Sequence, residues 1–515
     1  MTWENSYFLL RVKKHAASFV ACFLFAFAAQ AEDVTFRDAS NAVQLTGRFL
    51  GYDGAFASVL TPLGPVTLRG DGLTCEGNDC PDFDNYVPHL RFVGSDRIGA
   101  ILLPALIDVY ARDRDFNLQE SAEGFALFAA DAAGVLDISI DLAGPNDSFA
   151  AFLGYDADIL ISMRELSATE RERAFDAGLG RLSLARQGRI LALDALVPVA
   201  SPLSGDVSIS IADLARALAG QLEGTFTLHL PAAGNDQLKG FEHLFMRPAG
   251  YQITENAVFH GSDEDLLAAI ESDKTGLALL PYGATRNTQP LGLRGPCGLQ
   301  SDARFLTLKT EDYPLTFPVY LYQSNRRQHP QVVDFLDWLR SPSAQLVIRR
   351  AGFVDLAAAP IPLSEQGGRL ANAIRNAGEE ISLEELQRMI RILSPRVRMS
   401  STFRFEQGST RLDGQSRSNI MQLAQAIRDG QFGGRELMLV GFSDGRGPAL
   451  ANRELSSVRA SSVQRALESA LGGNIPYNLT IETEAFGEAL PMACDDTIWG
   501  QKTNRRVELW VRDLP

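Results

Sequence analysis

The rhythm of hydrophobic and polar positions changes several times along this 515-residue chain. The first 31 residues combine a polar start carrying Arg11, Lys13 and Lys14, an apolar run from Ala16 to Ala29, and the small-x-small end Ala29-Gln30-Ala31. That order predicts a secretory signal cleaved after Ala31. The run is shorter than the roughly 20 apolar residues that cross a bilayer. A lipoprotein would begin at Cys22, yet the apolar run continues from Phe23 to Ala29. Over 32–88, short Val, Leu, Phe and Thr runs such as Val43 to Leu50 alternate with Gly and Asp turns, which predicts a small antiparallel β module. Over 89–356, buried apolar runs alternate with amphipathic stretches, the pattern of an α/β domain large enough for two lobes and a cleft. Strands are expected at Val135 to Ile140, Asp158 to Ile161 and Leu277 to Leu280, and a helix at Ala100 to Tyr110. Residues 357–396 read as a helical linker. Ser382 and Glu385 form a capping box, and Leu383, Leu386, Met389, Ile390 and Leu393 make one apolar stripe that must dock on something. Over 397–515, strands are expected at Thr402 to Phe405 and Leu437 to Val440, with a helix face at Ile420, Leu423, Ala424 and Ile427. The expected architecture is multidomain, α/β followed by α+β.

Composition narrows the function. Hydrophobic residues make up 45% and charged residues 22%, ordinary globular usage. The 63 acidic against 48 basic residues leave a net charge of -15, so the chain has no general attraction to nucleic acid, and no nucleic-acid partner is expected. Five cysteines are too few for a disulfide-built scaffold. Cys75 and Cys80 bracket the turn-forming Glu-Gly-Asn-Asp and are expected to pair in an exported chain. The pattern leaves Cys297 and Cys494 open between a second pair and buried thiols. The six histidines are scattered, none at ligand spacing, and neither metal nor cofactor is expected. No nucleophile elbow, His-Glu-x-x-His or paired catalytic His occurs, so no catalytic residue is assigned and the chain is not expected to be an enzyme.

Within 89–356, Gly94-Ser95-Asp96-Arg97-Ile98-Gly99 follows an apolar stretch and opens a helix, where free backbone N–H groups suit an anion. Further on stand Gly144 to Ser148, then Asp158-Ile159-Leu160-Ile161-Ser162-Met163-Arg164, then Leu193 to Val199. In this order the pieces resemble the type II periplasmic substrate-binding fold, in particular the phosphate-binding proteins of ABC importers. The resemblance implies two lobes joined by a strand through Leu193 to Val199. It also implies candidate anion ligands at Gly94, Ser95, Ser148, Asp158 and Arg164. The chain departs from the family at the second lobe, where Leu230 to Asp236 lacks the expected Arg and the Ser-Gly-Thr loop and adds a carboxylate at Asp236 that would repel a dianion.

The C-terminal segment carries the densest signal. The turn Gly441-Phe442-Ser443-Asp444-Gly445-Arg446-Gly447 ends a strand and projects Ser443 and Asp444. Asn452, Leu455, Ser456 and Arg459 then share one helix face. A carboxylate beside a guanidinium forms a receptor for a zwitterion. With Phe486-Gly487-Glu488-Ala489-Leu490-Pro491 and Asn504-Arg505-Arg506-Val507-Glu508, these blocks resemble the OmpA-like peptidoglycan-binding domain. That resemblance implies that Asp444 and Arg459 hold the diaminopimelate of the stem peptide, with Ser443, Asn452, Leu455 and Arg506 lining the site. The chain is thus expected to be a periplasmic, wall-associated protein with the outer membrane as a neighbour. Its partners would be peptidoglycan, a small anion such as phosphate and an envelope protein. The alternative is a wall-tethered phosphate or oxyanion receptor of an ABC importer.

Overall fold

The computed structural model describes residues 33–38, 44–205, 208–224, 226–375, 377, 381–406 and 408–514. The expected signal segment and its cleavage point lie outside the described residues. Among the described residues no helix is long and apolar enough to cross a membrane.

The first sheet is antiparallel, built from Val34–Arg37, Gln44–Tyr52, Phe56–Thr61, Gly64–Arg69 and Thr74–Glu76. Its core is small: Val34, Phe36 and Val59 are buried, with Phe49 and Phe83 packed against them. Cys75, in the edge strand Thr74–Glu76, is bonded to Cys80 just beyond it.

The second, larger sheet spans two lobes. Gly188–Ala200 is a 13-residue strand whose first half pairs with Thr316–Gln323 and whose last five residues pair with Gly276–Pro281. It crosses from one lobe to the other along the Leu193 to Val199 run that the sequence marked. Thr316–Gln323 continues through Ile159–Ser162, His89–Gly94 and Gly134–Leu142 in the first lobe. Gly276–Pro281 continues through Thr227–Pro231 and Val258–His260 in the second. Nearly every residue of Gly188–Ala200 is buried, as expected for a strand covered on both faces. The helix expected at Ala100 to Tyr110 is divided. A π turn covers Ile98–Leu102, with the Leu103 N–H bonded to the Ile98 carbonyl, and the α-helix runs Leu103–Asp113. Pro104 is the cause, because it has no N–H for a regular helical bond at that point.

The third large unit is a five-stranded sheet in the order Pro360–Ile361, Val397–Arg404, Arg506–Asp513, Arg435–Phe442 and Leu479–Ala485. The last two strands are parallel and joined through the 22-residue helix Ala449–Ala470. Strand alternation sorts Arg435–Phe442 onto two cores. Leu437 and Leu439 face the helices Gly414–Arg428 and Ala449–Ala470, while Met438, Val440 and Phe442 face the helix Leu383–Leu393. That explains a strand that reads as a continuous apolar run. Ser382 caps Leu383–Leu393 by accepting the Glu385 N–H at 3.2 Å. Only Leu386, Met389 and Leu393 of its expected stripe are buried; Leu383 is 66% and Ile390 37% exposed, because the helix meets the sheet along a narrower line than the sequence suggested.

This third unit is fastened to the two lobes. Cys297 is bonded to Cys494 across 197 residues. The Trp499 indole stacks on Phe245 at 4.5 Å and donates to the Phe245 carbonyl at 2.9 Å. Arg417 reaches Glu165 at 3.0 Å. A cross-link closing so long a loop removes much unfolded-chain entropy. Cys494→Ser is therefore expected to lower stability by about 2–4 kcal/mol, read as a fall in the denaturant midpoint that added reductant reproduces in the wild type.

Candidate functional site

Two sites follow from the sequence, and the structure treats them differently. In the inter-lobe cleft, Gly94 takes a φ of +140°, and a Cβ there would lie 2.2 Å from the Ile161 carbonyl oxygen. The glycine lets two parallel strands meet where the loop to the helix Leu103–Asp113 begins. Ser95, Ser162, Arg164, Glu170 and Asp236 then converge, but they enclose a cavity of only about 10 Å³, room for one water at most. Arg164 is fully engaged with Glu170, at 2.7 and 2.6 Å. Glu170 is half-buried, which raises its pKa, yet the Arg164 and Ser167 hydrogen bonds outweigh this and hold it at about 2. Ser148 donates to the Ala143 carbonyl at 2.9 Å and does not line the cavity.

Asp158 is also placed away from the cleft. It is 5% exposed and bridges Arg91, at 3.0 Å, and Arg326. Arg326 in turn donates to the Leu50 carbonyl of the N-terminal β module. Asp158 therefore pins that module to the lobe, and its expected role as an anion ligand is corrected. Strand position shows that a side chain is buried; it does not show which neighbouring unit covers it.

The cleft is held shut from within. Arg97 of the first lobe bonds Asp263 of the second at 2.7 Å and sits 3.4 Å from Asp194 on the crossing strand. Asp236 enters the cavity as a fixed carboxylate. Burial raises its pKa to about 6, although Arg164 and Ser95 pull it down, and one of its oxygens has no hydrogen-bond partner.

At the C-terminal site, Gly441 allows the strand Arg435–Phe442 to touch the helix Ala449–Ala470. A Cβ there would lie 2.1 Å from the Ser456 carbonyl oxygen. Ser456 also accepts the Gly487 N–H at 3.1 Å, and Gly487 accepts the Ser443 N–H at 2.8 Å, so turn, helix and loop are locked together. Asp444 and Arg459 are then both nearly buried on the same side, 8% and 5% exposed. Asp444 accepts from Arg505 at 2.7 Å. Arg459 lies over the Phe405 ring at 5.4 Å, and its Nε and one Nη have no hydrogen-bond partner. Burial, with Arg505 nearby, lowers its pKa, while Asp444 opposes the shift. The Ser443 hydroxyl is likewise buried and unpartnered. Asn452 donates to Glu488, and Leu455 is 40% exposed on the outer edge. Asp495 accepts from the Gly445 N–H at 2.7 Å and from Asn504 at 2.8 Å, which steadies the Gly-rich turn.

Arg506 is not part of this site. It is fully buried, bonded to Glu508 at 2.7 Å and to the Leu490 and Asn504 carbonyls. Its neighbour Arg505, at the end of the helix Ile498–Asn504, is the one beside Asp444. The signal was available: in a strand that starts at Arg506, Arg506 and Glu508 share one face, so the residue before the strand is the one free to turn elsewhere.

Residues 404–505 match the model of the OmpA family, so this segment is an OmpA-family domain within a larger mixed α/β chain. No curated protein matches the sequence. Solved structures that resemble it include an ABC-type phosphate transport receptor from Vibrio cholerae, at 14% identity over 52% of this chain and 99% of that one, TM-score 0.40. A putative phosphate ABC transporter substrate-binding protein with bound phosphate from Clostridium perfringens is 10% identical over 52% and 99%, TM-score 0.40. The peptidoglycan-associated lipoprotein from Burkholderia pseudomallei is 27% identical over 22% and 89%, TM-score 0.19.

Two outcomes are expected. The pKa of Asp236 in the folded chain, about 6, stands above the ordinary carboxylate value, so the group removes stability as pH rises through the interval between the two. Asp236→Asn should then be more stable than wild type by about 1–2 kcal/mol at pH 8 and no more stable at pH 4, measured by urea unfolding at both pH values. Breaking a buried ion pair is costly, so Arg506→Gln should lose about 3–5 kcal/mol, whereas Arg505→Gln should lose no more than about 1 kcal/mol in the same assay.

Proposed function

We propose that the protein is a non-enzymatic component of the cell envelope that grips peptidoglycan through its OmpA-family domain, taking the diaminopimelate end of the stem peptide between Asp444 and Arg459. The observation that carries this reading is the pair of unpartnered donors on the buried Arg459, next to an unpartnered Ser443 hydroxyl and the Asp444 carboxylate. Buried donors left without acceptors are costly. A ligand carboxylate would satisfy Arg459, and a ligand ammonium would find Asp444 and the nearby Glu488 and Asp495. Arg505, 2.7 Å away, holds the Asp444 carboxylate in place until the ammonium arrives. In this reading the signal segment delivers the chain to the periplasm, and the two-lobed region senses or docks a partner rather than carrying phosphate. Its supports are the Arg164–Glu170 pair and the Asp236 carboxylate, which occupy the place an oxyanion would need.

Purified diaminopimelate-type sacculi should retain the mature protein. Asp444→Ala and Arg459→Ala should each reduce the retained fraction at least about tenfold, as expected when a charge-assisted hydrogen bond is lost. Equal retention of wild type and both variants would overturn the reading.

A further inference from the structure

One large cavity lies at neither site. It has a volume of about 780 Å³ and sits where the two-lobed region, the helix Gly367–Arg375 and the C-terminal sheet meet. That size is in the range of small-molecule sites. The charges around it are unbalanced. Four arginines, Arg369, Arg398, Arg404 and Arg506, are joined in one buried network to only two carboxylates, Asp312 and Glu508. Arg404 and Arg506 spend their remaining N–H groups on the backbone carbonyls of Thr503, Glu311, Leu490 and Asn504. Arg369 and Arg398 are the two that line the cavity. They are 8% and 3% exposed, and the Nε of each makes no hydrogen bond; that of Arg398 is 3.4 Å from Glu508. The amide nitrogen of Gln366, also on the wall, is buried without a partner.

Burial, together with Arg506 and Arg398, pulls the Arg369 pKa down to about 9 despite Glu508, as expected for a cation short of countercharge. The rim is closer to neutral. Arg304 pairs with Asp302 at 3.2 Å, and Glu365 and Arg375 also line the opening. Phe305, Leu299, Ile361 and Met492 supply apolar wall. A surplus of buried positive charge is costly unless an anion offsets it.

We propose that this junction cavity is a binding site for a small organic anion, its phosphate or carboxylate head on Arg369, Arg398 and Gln366 and its apolar body against Phe305 and Met492. The site is separate from both the inter-lobe cleft and the wall-binding turn, and ligand in it would bridge the two lobes to the OmpA-family domain.

The test uses phenyl phosphate and inorganic phosphate with the full mature chain, by calorimetry and thermal unfolding. Phenyl phosphate should bind saturably and raise the Tm by about 2–4 °C near saturation, and inorganic phosphate, lacking the apolar body, should bind at least about tenfold more weakly. Arg369→Gln should weaken phenyl phosphate at least about tenfold. Because that change touches the buried network, Ala371→Trp provides the second test: it fills the cavity from the helix Gly367–Arg375, leaves every charge in place, and should abolish binding. Arg164→Ala, in the inter-lobe cleft, should leave the affinity unchanged. No saturable binding of phenyl phosphate, binding that survives Ala371→Trp, or binding lost in Arg164→Ala would each overturn the proposal. None of these outcomes bears on retention by sacculi, so the two readings stand or fall separately.

Discussion

Asp312 comes from the two-lobed region, yet its partners Arg398 and Arg404 belong to a strand of the C-terminal sheet, at 2.8 and 3.2 Å. All three side chains are at most 4% exposed. Two carboxylates and four guanidiniums buried together lose much hydration, so the network tolerates little displacement of one unit against the other. The Cys297–Cys494 bond and the Trp499–Phe245 stack lie along the same seam and restrain the same motion. The seam makes one assembly of what would otherwise be separate modules on a tether.

That assembly reaches the turn that holds Asp444. The loop that carries Cys494 continues into Asp495, whose carboxylate steadies the turn holding Asp444. Arg505 and Arg506 are adjacent in sequence, but one serves the turn and the other the buried network. A change at the seam therefore has a short covalent path to that turn, through the end of the helix Ile498–Asn504. At the opposite end of the chain, Asp158 and Arg326 fix the N-terminal β module to the first lobe in a similar way. Charged residues that look like ligands in the sequence serve here as joints between units.

Much of the fold was legible because it depends on local rhythm. The strand crossing the two lobes appears as an unbroken apolar run, the Ser382 cap marks its helix, and the spacing of Asn452, Ser456 and Arg459 puts them on one buried face. Less was legible at the sites. Asp158, Ser148 and Arg164 stand in the expected order, but each is taken up by a protein partner that only folding supplies. Leu383 and Ile390 extend a stripe whose width was set by the surface it meets.

By itself the sequence determined the element types, the glycines that permit close approach at 94 and 441, the pairing of Cys75 with Cys80 five residues away, and the shared inward face of Asn452, Ser456 and Arg459 on the helix Ala449–Ala470. These follow from short-range periodicity and from backbone conformations that few residues can adopt. Tertiary structure decided the Cys297–Cys494 pairing, the closed inter-lobe cleft, the choice of Arg505 over Arg506 beside Asp444, and the excess of positive charge around the junction cavity. Each of these depends on which distant groups come within a few ångströms, and in a low-dielectric interior that proximity sets the cost or gain of a charge.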